Sequence, residues 1–143
     1  MTDRVVAHHT PYARWAHILL RIFAGALIIQ HGLQKWAGLF GGMGGSSGMA
    51  ATFNTLPWYG GVIETVGGAL ILIGLFTRPA AFILAGQMAV AYFLVHAPNG
   101  FWPIMNKGEP AVLFCFVFLY FAATGAGAGS LDYIRTRRQT AAS

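Results

Sequence analysis

The chain of 143 residues is 56% hydrophobic and only 9% charged, whereas an ordinary soluble domain carries about 25% charged residues. This composition excludes a typical soluble domain and predicts one membrane domain. The net charge of +5 comes from Lys and Arg residues scattered along the chain, so we expect a membrane-orientation signal and no nucleic-acid partner. The single cysteine, Cys115, excludes an intrachain disulfide and a thiolate-held iron–sulfur cluster built from this chain alone.

Four apolar windows are long enough to cross a bilayer, which takes about 20 residues of α-helix. They cover residues 15–34, 57–76, 79–97 and 109–127. Prolines stand at the starts of the last three windows, where a missing N–H does no harm. We therefore predict an all-α, four-helix transmembrane bundle over residues 15–132, with an N-terminal segment 1–14 and a basic tail 133–143.

Lys and Arg residues are divided unevenly between the two ends of these windows. One end has Arg4, Arg14, Arg78, Arg135, Arg137 and Arg138, and the other has Lys35 and Lys107. Because cytoplasmic loops are enriched in Lys and Arg, this asymmetry predicts that both termini are cytoplasmic.

Arg21 interrupts the first window about 9 Å from its inner end, at 1.5 Å per residue. A side chain of this length can snorkel to the lipid headgroups, or it can pair with Asp132 after the last window. Either role is structural. Together with Gln30 and His31, Arg21 also breaks the apolar core that a signal peptide would need.

Glu64 is the single charged residue between Pro57 and Phe76. A carboxylate at this depth in a membrane is expensive unless it is paired, protonated or hydrated, so Glu64 is a functional-site candidate. It shares a helix face with Gly67 and Gly68, and small residues let helices approach closely. We expect Glu64 to face protein and not lipid.

The predicted topology brings polar residues from different windows to one depth, near the outer leaflet. His31 and Lys35 end the first window, Glu64 lies about 10 Å down the second, and His96 and Glu109 bracket the third loop. Imidazoles can donate to a quinone carbonyl, and a buried carboxylate can transfer a proton. We interpret Glu64, His31 and His96 as catalytic candidates, and all five residues as candidate quinone contacts. Gln87, in the third window, is interpreted as a hydrogen-bonding residue between helices.

Other interpretations of these residues stay open. Polar and aromatic residues commonly mark membrane interfaces without further function. His31 and His96 could be axial ligands of a b-type haem, although both lie near helix ends. A metal site built from His31, Glu64 and His96 has suitable ligand types but no close ligand spacing, so we predict none.

Four segments occur in order across nearly the whole chain. They are LRIFAGALIIQHGLQK at 20–35, ETVGGALILIGLFTRPAA at 64–81, HAPNGFWPIMNKGE at 96–109 and GAGAGSLD at 125–132. With these segments the chain resembles the DoxX family of small bacterial membrane proteins. One departure is Ala126, where the last family motif more often carries proline.

The resemblance implies four spans in a bacterial plasma membrane, with Arg21, Gly67, Gly68 and Asp132 at motif positions to which we give structural roles. Family members resemble a subunit of an archaeal thiosulfate:quinone oxidoreductase or a membrane partner of thiol and superoxide defence enzymes. We therefore expect a membrane subunit of a quinone-linked oxidoreductase system. Its partners would be the lipid bilayer and other membrane subunits, and quinone is the candidate cofactor. A non-catalytic scaffold and a small-solute or proton pathway are the alternatives, so whether the chain is an enzyme stays open.

Overall fold

The computed structural model describes residues 10–43 and 48–142. Its helices are α1 (Pro11–Trp36), α2 (Leu56–Ile73), α3 (Thr77–Ala91), α4 (Pro103–Asn106), α5 (Glu109–Thr124) and α6 (Leu131–Ala142). After α3 the chain continues through a π-helical turn, Tyr92–His96, and a 3₁₀ turn, Ala97–Asn99. The described residues contain no strand, which confirms the all-α class.

Within the described residues, three helical segments are long and apolar enough to cross a membrane: Pro11–Trp36, Leu56–Ile73 and Thr77–Asn99. Helix α5 is apolar but has 16 residues, which extend about 24 Å against a hydrocarbon core of about 30 Å. It ends at Thr124 and not at the predicted position 127. The predicted tail is helical as far as Ala142, while residues 1–9 of the predicted N-terminal segment, with Arg4, lie outside the described residues.

Proline lies in the first turn of five helices, α1 to α5, and three of these prolines stood at predicted helix starts. Pro57 lies in α2, Pro79 in α3 and Pro110 in α5. The first N–H groups of a helix have no intrahelical partner, so proline loses nothing there. The three helices begin at Leu56, Thr77 and Glu109, within two residues of the predicted starts at 57, 79 and 109.

Neighbouring long helices run antiparallel and form two closely packed pairs. Helix α1 packs most extensively against α2, and α3 against α5. At one end of α1, His17 contacts Tyr120 of α5, with 2.9 Å between Nδ1 and the phenolic oxygen. Further along α1, the His31 ring meets the Phe114 ring edge-on at a centroid distance of 5.9 Å. Helix α2 also contacts α3, and this places α2 between α1 and α3.

Glycines bring α1 and α2 into backbone contact. A Cβ built on Gly25 would lie 2.9 Å from the carbonyl oxygen of Gly68, and one built on Gly32 would lie 2.6 Å from that of Gly61. On another side of α2, Gly67 faces α3, where a Cβ would lie 2.9 Å from Leu84 Cγ. Helix α2 is therefore closely packed on both of its neighbours.

Gly32→Ala is expected to lower the free energy of unfolding by about 2 kcal/mol, a typical cost of overpacking. The added methyl group would lie 2.6 Å from Gly61 O and 2.7 Å from Thr65 N, so α1 and α2 would have to separate. Thermal unfolding in detergent measures the loss. Gly86→Ala is the control, because a Cβ there meets nothing within 4 Å and alanine favours a helix over glycine by up to about 1 kcal/mol. Equal stability of the two variants would contradict the close contact.

The Arg21 side chain is buried inside the protein and does not reach its surface, so the predicted snorkelling is wrong. Its side chain is only 2% exposed. The guanidinium donates to the carbonyl oxygens of Ile71 at 3.0 Å and Leu72 at 2.6 Å, at the end of α2, and to that of Gly129 at 2.9 Å. The last carbonyls of a helix have no intrahelical partner and carry partial negative charge, so a cation stabilises this end.

Asp132 binds the backbone at the start of α3, just after the turn that follows α2. Its two carboxylate oxygens accept hydrogen bonds from the backbone N–H groups of Phe76 and Thr77, both at 2.9 Å, where α3 begins. An anion is favourable at a helix N-terminus. The described residues show no direct ion pair between Arg21 and Asp132, so that predicted contact is wrong. The two charges instead hold the end of α2 and the start of α3.

Candidate functional site

Glu64 is completely buried in α2, as its place on the glycine-rich face predicted. The Lys35 ammonium group from α1 forms an ion pair with Glu64 Oε1. The side-chain amide of Gln87 from α3 donates to the same oxygen at 2.7 Å. We call Lys35, Glu64 and Gln87 the polar triad. A cation and a neutral donor, each from a different helix, thus offset the burial of the carboxylate.

Two acceptor atoms of the polar triad have spare capacity. Among the described residues, Glu64 Oε2 and Gln87 Oε1 have no hydrogen-bond partner. An unpaired buried acceptor costs about 1–3 kcal/mol. The triad can therefore gain stability from a ligand or proton that supplies a donor.

A cavity of about 490 Å³ opens beside the triad, between α2 and α3. Its walls are mostly apolar, and the nitrogen-bearing side chains on it are Lys35, Gln87 and His96. Ile83 and Leu94 on its wall are 56% and 61% exposed, so the cavity opens sideways onto the outer surface of the helices. An apolar cavity of about 300–1,000 Å³ with a few polar groups is typical of small-molecule sites.

His96 lines this cavity from the π-helical turn that follows α3. Its Nδ1 lies 3.1 Å from the backbone carbonyl oxygen of Asn106. Because a carbonyl can only accept, Nδ1 carries the proton, and in the neutral ring Nε2 is left as an acceptor. Single π-helical turns inside helices are frequent at functional sites. The cavity therefore combines one charged donor, Lys35, with two groups that can accept, His96 Nε2 and Gln87 Oε1.

The structure does not bring all the predicted residues together. His31 packs against Phe114 of α5, and Glu109 is exposed at the first position of α5. Neither lines the cavity that the described residues form between α2 and α3. The predicted residues that do meet at or beside it are Lys35, Glu64 and His96. The described residues contain no group of three or more His, Cys, Asp or Glu side chains that could hold a metal.

Gln87 is the site residue that sequence reasoning placed only in helix packing. Its Nε2 does contact a helix backbone, the carbonyl oxygen of Gly60 at 3.3 Å, but its shorter bond is to Glu64. Glu64 and Gln87 stand at about the same distance from the turn between α2 and α3. Residues at equal distances from a tight turn lie side by side in two antiparallel helices. This spacing could have predicted the contact between Glu64 and Gln87 from the sequence.

The profile of one family of membrane proteins, DoxX, matches residues 16–97, which is more than half of the chain. The chain belongs to the DoxX family. The matched region of this DoxX protein runs from α1 to the end of the π-helical turn, and it contains the polar triad and His96. The other residues that line the cavity also lie within it.

Named relatives of this DoxX protein share most of its length. An uncharacterized protein of Haemophilus influenzae is 46% identical over 116 residues, covering 79% of this chain and 85% of the relative. A Bacillus subtilis protein named "Putative oxidoreductase CatD" is 30% identical over 121 residues, covering 80% and 83%. An uncharacterized membrane protein of Mycobacterium tuberculosis is 29% identical over 141 residues, covering 87% and 83%. No solved structure gives a significant match.

Proposed function

We propose that this DoxX protein is a membrane subunit of a quinone-linked oxidoreductase system, and that the cavity beside the polar triad receives the quinone ring. The proposal depends on one observation: the cavity has mostly apolar walls and a small set of nitrogen-bearing side chains. A membrane quinone likewise has a polar part, the ring with its carbonyl oxygens, and an apolar part, the tail. The name of the Bacillus subtilis relative, a putative oxidoreductase, agrees with this assignment.

The donors and acceptors of the cavity suit both states of a quinone. The Lys35 ammonium has N–H groups beyond the one bonded to Glu64 and can donate to a ring carbonyl oxygen. His96 Nε2 and Gln87 Oε1 can accept from the hydroxyl groups of the reduced ring. Reduction of a quinone consumes electrons and protons. In this proposal a partner oxidoreductase subunit supplies the electrons. Water at the outer surface supplies the protons, and Glu64, which contacts both Lys35 and Gln87, would take up each proton and pass it to the site.

The proposal includes a four-helix transmembrane bundle in the bacterial plasma membrane with both termini in the cytoplasm. Helix α5 is apolar and packs along α3, which supports its role as a fourth, short span in a locally thinned bilayer. Arg14, Arg78 and the arginines of α6 lie at the same end of the long helices. The enrichment of cytoplasmic loops in Lys and Arg supports the cytoplasmic placement of that end.

Glu64→Gln is expected to lower quinone-linked electron transfer at least about tenfold, because the amide keeps the shape of the side chain but cannot take up a proton. The measurement is the rate of quinone reduction by the native complex purified with its partners, together with the quinone content of its lipid extract. Glu109→Gln is the matched control, since it neutralises an exposed carboxylate that does not line the cavity. We expect it to keep full activity.

Two outcomes would contradict this proposal. Full electron transfer in Glu64→Gln would assign Glu64 to structure alone. Isolation of an intact larger complex without any quinone, unchanged by Glu64→Gln, would indicate a non-catalytic scaffold.

A further inference from the structure

A second cavity, of about 620 Å³, lies at the opposite end of the long helices from the polar triad. It is open to the surface and is bordered by the start of α3, the loop 125–130 and helix α6. Arg78 of α3 and Arg135 of α6 both line it. We call it the basic cavity. A smaller neighbouring cavity shares four of its lining residues and adds Arg14 of α1.

The arginines of the basic cavity are available to a ligand. Within the described part of the chain, Arg78 forms no ion pair or side-chain hydrogen bond, and it is exposed. Arg135 is also exposed, and its guanidinium carbon lies 4.8 Å above the centre of the Phe76 ring. Asp132 is the carboxylate on this cavity, and both of its oxygens are occupied by backbone N–H groups. The cavity therefore keeps a net positive charge.

The basic cavity lies where lipid headgroups would be. Helix α3 begins and helix α5 ends at this level, so the apolar surface that faces lipid tails stops here. Phe76 and Tyr133 on the cavity wall are 53% and 45% exposed, and tyrosine is enriched at the membrane–water interface. A guanidinium matches the geometry of a phosphate with paired hydrogen bonds.

We propose that the basic cavity binds the phosphate of an anionic phospholipid headgroup, with Arg78 and Arg135 as its ligands. An anionic headgroup fits better than a zwitterionic one, because two arginines face one carboxylate on this cavity and the Asp132 charge is already partly offset by the backbone N–H groups of α3. A free phosphate ion shares the same chemistry. Lipid and ion are therefore separate arms of the test.

The test titrates the full-length protein, in neutral detergent, with short-chain phosphatidylglycerol, short-chain phosphatidylcholine or inorganic phosphate, and follows thermal unfolding. Phosphatidylglycerol is expected to raise the unfolding temperature, and the other two additives are not. The double variant Arg78→Gln/Arg135→Gln should bind phosphatidylglycerol about 30-fold more weakly. The control Arg137→Gln/Arg138→Gln changes the charge equally, but neither residue lines the basic cavity, so it should bind like the wild type.

Several outcomes would overturn this assignment. Unchanged phosphatidylglycerol binding in the Arg78/Arg135 variant would remove the cavity from lipid recognition, and an equal loss in the control variant would indicate diffuse surface charge instead. Stabilisation by inorganic phosphate alone would assign the site to a soluble anion. If the glutamine variant does not fold, Arg78→Lys/Arg135→Lys keeps the charge but loses the paired geometry. Undiminished affinity in that variant would contradict the arginine–phosphate contact.

Discussion

Replacing Lys35 with methionine is expected to lower the free energy of unfolding by about 3 kcal/mol, because the Glu64 carboxylate then stays buried without its cation. The Lys35 side chain is 25% exposed, whereas that of Glu64 is completely buried. The loss is therefore set by the carboxylate left behind. Methionine keeps the stem that packs on α2, where a Cβ on Gly61 would lie 2.9 Å from Lys35 Cβ. Tryptophan fluorescence during denaturant unfolding in detergent measures the change, since Trp36 bonds to Thr65 of α2.

A double-variant cycle separates the ion pair from packing. In Lys35→Met/Glu64→Gln the buried group is a neutral amide, which is much less expensive to desolvate than a carboxylate. The double variant should therefore recover most of the stability lost in Lys35→Met. If the losses of the two single variants simply add, the two side chains are not coupled and the ion pair has no energetic role.

Arg21→Met is expected to lower the free energy of unfolding by about 4 kcal/mol, the largest loss we predict. It removes three hydrogen bonds from a charged donor, at 2.6–3.0 Å, and each such bond contributes about 1.5–3 kcal/mol before the protein relaxes. The carbonyl groups at the end of α2 would also lose the nearby positive charge. Thermal unfolding in detergent, compared with the wild type, gives the loss.

Arg14→Met is the matched control for Arg21, because it changes the same residue type at an exposed position of the same helix. Its effect should stay within about 0.5 kcal/mol. Arg21→Lys should fall between the two, since an ammonium cannot reproduce the fork of a guanidinium. An Arg21→Met protein as stable as Arg14→Met would show that the bonds to α2 and Gly129 are energetically unimportant.

The burial of Glu64 could be predicted from the sequence, and its partners could not. One carboxylate on a stripe of glycines must face a neighbouring helix, and this follows from helix periodicity alone. Which side chains reach it depends on the register between helices. Lys35 was expected near Glu64 among several polar residues, and Gln87 was expected only between helices. His31 contacts Phe114, and His96 contacts Asn106. Both contacts depend on how each helix is rotated about its axis, and this rotation cannot be predicted from composition.

Hydropathy alone did not predict where the last long helix ends. The fourth window was predicted to run to position 127, but α5 ends where Gly125 adopts a φ of +81°. Gly127 and Gly129 also have positive φ, both +69°, a conformation that glycine adopts far more readily than other residues. The alternating glycines of GAGAGSLD thus encode a loop that brings the Gly129 carbonyl to Arg21 and the Asp132 carboxylate to α3. The motif could be recognised from the sequence, but its contacts with α1 and α3 could not.

The bond between Glu64 and Gln87 joins the two helix pairs, since α2 belongs to one and α3 to the other. The same Gln87 amide faces the cavity. In the proposed function, a ligand that competes for this donor would weaken the tie between the pairs, so occupancy of the cavity and the separation of the two halves would be thermodynamically linked.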